Sequence, residues 1–197
     1  MANLSDVFTE SERTNWLKAW LAIDIAKSGL EQFAEDEAKI LQSNIYNAIL
    51  TSGAVACTGC HTANLLQCPS PGICNKQKTN SLCTSMHDTA SKQPRQCPAN
   101  VCNKVLIEIA KQHKFAKPSW KNTEAIHWAS CPWQIAKAYL PPDGYTEKGS
   151  AQDTDFNGII SFMMNCKHFD NKFSFPITQR ITHQPCFLTK VNICVSY

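Results

Sequence analysis

The chain has 197 residues, of which 43% are hydrophobic and 18% charged, and its formal net charge is +3. This length and apolar content predict one folded domain with a sizeable core and exclude a generally disordered chain. No stretch approaches about 18 unbroken apolar residues, and the N-terminus has no basic segment followed by an apolar one. We therefore expect no membrane span and no signal peptide, and a cytoplasmic or nuclear protein.

The first predicted elements are two helices. A Thr-x-x-Glu capping box at residues 9–12 begins the first, and residues 16–26 are apolar almost all round, so we expect that helix to be buried on most sides. A Ser-x-x-Glu motif at residues 28–31 predicts a second start, with Gly29 loosening the join. The second helix has apolar residues at three- and four-residue spacing: Leu30, Phe33, Ala34, Ala38, Leu41, Ile45, Ala48 and Ile49.

Residues 51–104 form a cysteine-rich insertion in which one pattern occurs twice. The copies are CTGCHTANLLQCPSPGICNK at 57–76 and CTSMHDTASKQPRQCPANVCNK at 83–104. Helical periodicity disappears here, and a loop of this length inside a compact domain needs crosslinks to hold it. In a chain without an export signal, clustered cysteines favour metal over disulfides. We therefore predict structural zinc.

Two ligand arrangements fit, because zinc takes four ligands in a tetrahedron and a Cys-x-x-Cys turn supplies two of them. A two-site arrangement uses one copy of the repeat for each metal: Cys57, Cys60, Cys68 and Cys74 for the first, and Cys83, His87, Cys97 and Cys102 for the second. A single-site arrangement joins the first pair to the last: Cys57, Cys60, Cys97 and Cys102. The insertion contains no glutamate to act as a general base, so either site is expected to be structural.

Helical patterns return at residues 104–112, 132–139 and 154 to about 168, the last with Asp153 as its N-cap. The motif PPDGY at 141–145 predicts a turn. Nothing alternates at period two, so the expected fold class is all-α. His127 and Cys131 form a further candidate pair of metal ligands, and the isolated cysteines are expected to be buried free thiols.

Residues 92–121 carry seven basic residues against Glu108 alone, whereas residues 1–50 carry eight acidic and four basic ones. A basic segment attracts phosphate backbones without reading bases, so RNA binding is one interpretation. Its candidate residues are Lys104, Lys111, Lys114, Lys117 and Lys121, with Trp120, Phe115 and Trp128 as stacking surfaces. The other interpretation is a solvated face that balances the acidic helices.

The sequence has none of the motifs that would indicate an enzyme. It lacks His-Glu-x-x-His, a phosphate-binding glycine loop and Gly-x-Ser-x-Gly, and it contains only seven glycines. We therefore expect a non-enzymatic interaction module.

Three segments resemble a known family: NWLKAWLAIDIAKSGLEQF, HWASCPWQIAKAYLPPDGY and TDFNGIISFMMNCKHF, which begin at residues 15, 127 and 154. They resemble the HEPN (higher eukaryotes and prokaryotes nucleotide-binding) domains of uncharacterised animal proteins, of the type found beside a DAZ-interacting RING ubiquitin ligase. The resemblance covers most of residues 12–191. It implies a single all-α bundle over residues 1–197, and a role in innate-immune or ubiquitin-linked assemblies by family analogy.

The resemblance carries over no catalytic residue. Many HEPN domains are RNases with an Arg-x4-His motif on a late helix, into which the segment matching CFLTKV (186–191) leads. Here that segment runs into NICVSY, and Arg180 and His183 have the wrong spacing. The resemblance therefore implies a C-terminally truncated bundle, with RNase activity only in a full-length form. Such a bundle would expose an apolar face, so we expect a protein partner or a homodimer to cover it.

Overall fold

The computed structural model describes residues 9–49, 57, 59–67 and 95–173, and in these ranges the chain forms helices and turns but no strand. The α-helices are α1 (Glu10–Ile49), α2 (Thr62–Leu65), α3 (Cys102–Gln112), α4 (Pro132–Ala136) and α5 (Phe156–Asn165). Short 3-10 turns lie at Trp120–Asn122, Ala125–His127, Lys137–Tyr139 and Lys167–Phe169. The described part of the chain is therefore all-α, as the sequence predicts. None of its helices combines the length and apolarity needed to cross a bilayer.

The first helix is one continuous element, although the sequence predicts two. Its capping box forms as predicted, because Glu12 N donates to Thr9 Oγ1 at 3.2 Å and Thr9 N donates to Glu12 Oε2 at 2.7 Å. The predicted break at residues 28–31 is wrong: Ser28 Oγ donates back to the Asp24 carbonyl at 3.0 Å instead of capping a new helix. At 40 residues, α1 is about 60 Å long.

The C-terminal half of α1 lies in the core, where the helix packs against α3, α4 and α5. Most of the apolar face that the spacing predicts is buried, namely Ala34, Ala38, Leu41, Ile45 and Ile49. Leu30 and Phe33 pack partly buried against the core, whereas Ala48, also predicted on this face, is exposed. Opposite it lie large, fully buried side chains from the second half of the chain, among them Trp128, Trp133, Tyr139, Phe162 and Phe169. The rings of Phe162 and Phe169 meet edge to face, with their centroids 4.9 Å apart.

The N-terminal half of α1 is exposed, so the prediction that residues 16–26 are buried on most sides is wrong. Trp16 is 63% exposed, Leu17 56%, Trp20 54% and Leu21 51%. Every buried residue of α1 lies at Ala34 or beyond. The apolar sequence of residues 16–26 indicated that other parts of the chain would cover them. The described helices instead pack against the C-terminal half of α1.

The later helices follow the predicted pattern with two corrections. α3 and α4 occur where expected, and the 3-10 turn Lys137–Tyr139 completes the predicted 132–139 element. The N-cap of α5 is Asp155 rather than Asp153: Gly158 N donates to Asp155 Oδ1 at 2.7 Å, whereas Asp153 Oδ2 accepts from Ser150 Oγ. The α-helix ends at Asn165, before the predicted 168. Gly144, in the predicted PPDGY turn, has a φ of 90°, which glycine adopts without strain.

An ion-paired carboxylate joins α1 to the last described turn. Glu37 Oε2 lies 2.6 Å from His168 Nε2 and 3.0 Å from Lys172 Nζ, and its side chain is only 10% exposed. Burial raises the pKa of Glu37, but hydrogen bonds from Lys172 and His168 outweigh this and lower it below its usual value. The ion pairs of Glu37 with His168 and Lys172 fix the position at which the chain after α5 packs against the core.

Candidate metal site

Four cysteine side chains from two distant parts of the chain meet in one cluster. The Sγ atoms of Cys57, Cys60, Cys97 and Cys102 all lie within 4.8 Å of one another. Tetrahedral zinc with Zn–S bonds of about 2.3 Å places its sulfurs about 3.8 Å apart, so a small contraction would complete such a site. All four are free thiols, and the 3.5 Å between Cys57 Sγ and Cys60 Sγ is well beyond the roughly 2.05 Å of a disulfide.

A tight turn before α3 presents the second pair of sulfurs. Asn100 N donates to the Cys97 carbonyl at 2.9 Å, and Pro98 suits the second position of this turn because its ring fixes φ. Asn100 has a φ of 53°, a left-handed conformation that asparagine tolerates better than most residues. Cys97 N donates to Asn103 Oδ1 at 2.8 Å, which holds Cys97 over the first turn of α3. Cys102 is the first residue of that helix.

The first pair of sulfurs is held in place by the docking of α2. Thr62, the first residue of α2, donates through Oγ1 to the Thr123 carbonyl at 2.6 Å and accepts from Ala125 N at 2.9 Å. Arg95 N donates to the Asn64 carbonyl at 2.8 Å, so the chain leading to Cys97 runs beside α2. These bonds bring together two segments with residues 61–96 between them.

The electrostatics of the cluster favour ionisation of Cys97 and the neutral form of Cys60 and Cys102. Burial raises the pKa of Cys97, but the N–H groups of Cys102 and Val101, and then the Cys57 and Cys60 thiols, outweigh it and lower the pKa to about 6. Burial, followed by hydrogen bonds with Cys57 and Cys97, raises the pKa of Cys60 to about 12. Burial also raises the pKa of Cys102. A divalent cation would replace these protons, because thiolates rather than thiols bind metal.

Tyr46, on the last turns of α1, lies near the cluster and was missed by the sequence analysis. Burial raises the pKa of its phenol, and the neighbouring Cys102, Cys57 and Cys97 sulfurs raise it further. Its ring is half-buried against the core. No sequence motif includes Tyr46. Its position next to Ile45, a residue of the apolar face of α1, is the one sequence feature that indicates that it lies near the core.

The structure brings together the quartet of the single-site arrangement. The further ligands of the two-site arrangement, at 68, 74, 83 and 87, lie outside the described residues. His127 and Cys131 belong to no group of three or more potential ligands within the described ranges. His61, which follows Cys60, is exposed and instead pairs with Glu124 at 3.5 Å. Cys166 is a buried free thiol, as expected.

Three of the five candidate RNA-binding lysines form ion pairs. Lys111 Nζ lies 2.5 Å from Glu108, Lys114 Nζ 2.6 Å from Asp170 and Lys121 Nζ 2.5 Å from Asp143. Lys104 and Lys117 are exposed and lie within 4 Å of no described carboxylate. The positive charge available to a phosphate is therefore smaller than the composition suggests.

The proposed stacking residues differ in their exposure. Phe115 is 61% exposed. Trp120 is half-buried, and its ring is tilted against Trp128 with the centroids 6.4 Å apart. Trp128 itself is fully buried, so it is wrong as a surface for stacking bases; its Nε1 donates to Thr123 Oγ1 inside the core.

The described helices and the sulfur cluster define an all-α protein with a four-cysteine candidate metal site. The chain belongs to the family described as Domain of unknown function (DUF4559), which matches residues 7–181. A mouse relative, "Uncharacterized protein CXorf38 homolog", is 25% identical over 162 residues, which cover 81% of this chain and 42% of the mouse protein. The chain therefore spans less than half the length of that relative. No solved structure matches the chain.

Proposed function

We propose that this protein is a non-enzymatic helical interaction module in which one structural zinc ion ties the cysteine-rich insertion to the bundle. The observation that carries the proposal is the convergence of four sulfurs from 57–60 and 97–102. A metal at this point would crosslink the chain just after α1 to the start of α3. Residues 61–96 would then form a closed loop, which reduces the entropy of the unfolded chain.

The chemistry of the donor set favours zinc. Four thiolates in a tetrahedron are typical of structural zinc or of iron–sulfur proteins, and zinc needs no inorganic sulfide. Hydrogen bonds from Val101 N and Cys102 N to the Cys97 sulfur would offset part of the negative charge of a four-thiolate site. Cys97, with its pKa lowered to about 6, is largely ionised near pH 7, and each ligand that is still a thiol releases its proton when the metal enters.

Four protein sulfurs leave no open coordination position for a water or a substrate, which supports a structural rather than a catalytic role. The chain also contains no Arg-x4-His motif. We further propose that the bundle is HEPN-like, on the sequence resemblance and the helical content. RNase activity would then require a form of the protein that carries this motif.

The test is elemental analysis of the purified full chain. We expect about one zinc per chain in the wild type and in Cys131→Ser, a control that lies outside the cluster. Cys60→Ser and Cys102→Ser should each lose most of the zinc. Less than half a zinc per wild-type chain, or zinc retained in a Cys60→Ser/Cys102→Ser double variant, would contradict the proposal. Two zinc ions per chain would favour the two-site arrangement.

A second proposal, RNA binding, is supported by the exposed ring of Phe115 and by the exposed Lys104 and Lys117, which form no ion pair with a carboxylate in the described part of the chain. Electrophoretic shift of a single-stranded RNA at 50 and 200 mM salt tests it. Binding should weaken steeply with salt, and a Lys104→Glu/Lys117→Glu variant should bind less than wild type. The matched control is Lys18→Glu on α1. Equal binding by the two variants would contradict this site.

A further inference from the structure

On one face of the exposed half of α1, charged and apolar residues follow one another in an order that would match a second, antiparallel copy of the same face. At about 100° per residue, eight side chains between residues 10 and 27 fall on one side of the helix. In chain order they are Glu10, Arg13, Trp16, Leu17, Trp20, Leu21, Asp24 and Lys27. All of them are exposed except Lys27, which is half-buried. We call this set the α1 face.

The charges of the α1 face flank its apolar centre in a repeating order. Reading along the helix, an acid and a base precede four apolar residues, and an acid and a base follow them. A second copy laid antiparallel therefore opposes every charge to its opposite and every apolar residue to an apolar one. The pairs are Glu10 with Lys27, Arg13 with Asp24, Trp16 with Leu21, and Leu17 with Trp20. A parallel copy in register would instead oppose each charge to itself, which is repulsive.

We propose that two copies of this chain pair through the α1 face, antiparallel and about a two-fold axis. Such an interface is self-complementary, as closed dimers require. The inference names a partner for the interaction module proposed above and rests on that proposal.

The apolar area is sufficient for such a pair. Trp16, Leu17, Trp20 and Leu21 are each more than half exposed. With roughly 150–250 Å² for each aromatic side chain, the four together expose about 400–500 Å² per copy. Two copies would then bury about 1,000 Å² in total, the lower limit for a specific interface, so we expect a micromolar dissociation constant.

The rest of the described chain leaves the centre of the α1 face open. A cleft of about 540 Å³ runs beside residues 20, 23, 24 and 27 of α1, and residues 143–145, 148 and 153–156 also line it. Lys27 Nζ is held at its end by Glu31 at 2.6 Å and by the Gln152 carbonyl at 3.0 Å. Because Lys27 already has a carboxylate partner, its pairing with Glu10 of a second copy is the weaker charge contact. The pair of Arg13 with Asp24 lies nearer the apolar centre of the face and is used to test the register.

Sedimentation velocity of the full chain between 1 and 100 µM tests the proposal. We expect a reversible monomer–dimer equilibrium, which Trp20→Glu should weaken at least about 100-fold because it places a charge at the apolar centre. Ile107→Glu is the matched control: Ile107 is also about half exposed but lies on α3, and this variant should dimerise as wild type does. Circular dichroism should show equal helix content in both.

The register is tested by charge reversal. Arg13→Glu and Asp24→Arg should each weaken dimerisation about tenfold, and the double variant should return close to the wild-type dissociation constant. A wild-type chain that stays monomeric at 100 µM, equal dimerisation by Trp20→Glu, or a double variant no better than the single ones would each overturn the proposal.

Zinc content measured on the same samples separates this inference from the zinc site. A zinc-loaded monomer overturns the pairing alone, and a zinc-free dimer of the expected register overturns the zinc site alone. A zinc-free monomer overturns both.

Discussion

Replacing Glu37 by glutamine tests whether the buried ion pair of α1 stabilises the bundle. Glu37 accepts hydrogen bonds from His168 Nε2 at 2.6 Å and Lys172 Nζ at 3.0 Å, and its side chain is 10% exposed. A hydrogen bond to a charged group contributes about 1.5–3 kcal/mol, and a glutamine oxygen would still accept one weaker bond. We therefore expect Glu37→Gln to lower the free energy of unfolding by about 2–3 kcal/mol, or Tm by about 4–12 °C.

Urea denaturation followed by circular dichroism measures this loss, and Asp36→Asn is the control. Asp36 is the adjacent residue and also forms an ion pair, with Lys39 at 2.9 Å, but both members of that pair are more than half exposed. Because exposed pairs are screened by water, Asp36→Asn should leave the unfolding midpoint nearly unchanged. Equal losses of stability in the two variants would contradict a stabilising effect of burial on the Glu37 ion pair.

The loss of stability in Glu37→Gln should depend on pH. The folded pKa of Glu37 lies below its usual value of 4.5, although burial acts to raise it, because the bonds from Lys172 and His168 lower it more. A carboxyl with a lowered folded pKa contributes stability that is present above its unfolded pKa and is lost as the pH falls through the folded one. The difference in the free energy of unfolding between wild type and Glu37→Gln should be full at pH 7 and should narrow below about pH 4.5. A gap that stays constant down to pH 4 and below would show that the charge is not its cause.

Two further predictions concern the packing and the cap of α5. Gly158→Ala should lose about 1–3 kcal/mol, because a Cβ there would overlap Thr154 Cγ2 and come within 2.7 Å of Tyr145 Cε1. Gly29→Ala, at an exposed position of α1 where a Cβ meets nothing within 4 Å, should instead gain up to about 1 kcal/mol. Thermal unfolding compares the two variants, and equal shifts in Tm would contradict the packing argument. Asp155→Ala should lose about 1–2 kcal/mol, since it removes the N-cap and the acceptor of the Tyr145 hydroxyl at 2.9 Å. Urea denaturation should show a smaller loss of stability for Asp153→Ala. A larger loss for Asp153→Ala than for Asp155→Ala would indicate that Asp153 is the N-cap.

The spacing of apolar residues predicted the core face of α1 and the positions of α3 and α4, because periodicity reports local geometry directly. It misplaced the break at Gly29. One glycine inside a helix costs about 1 kcal/mol, and helix growth through it is cheaper than a new nucleus on the far side. Periodicity also could not show that residues 16–26 lack a neighbour, since the apolar pattern of a covered helix and of an uncovered one is the same.

The candidate site was only partly predictable for a different reason. All four converging cysteines were named from their residue type and spacing, but the duplicated pattern allowed two ways of pairing them. The contacts that bring Cys60 next to Cys97 are non-local: Thr62 to Thr123, and Arg95 to Asn64. Neither bond belongs to a sequence motif, so no local pattern could favour one arrangement. Tyr46 comes close to the four sulfurs through the same packing of segments that are distant in the sequence.

X-ray absorption at the zinc K-edge of the purified full chain tests whether one zinc ion is bound by four sulfurs. We predict a first shell of four sulfurs at about 2.3 Å with no nitrogen or oxygen ligand. The spectrum should be unchanged in Cys131→Ser and lost with the metal in Cys102→Ser. A first shell that contains imidazole nitrogen, as a site using His87 would, or fewer than four sulfurs per zinc, would contradict the account.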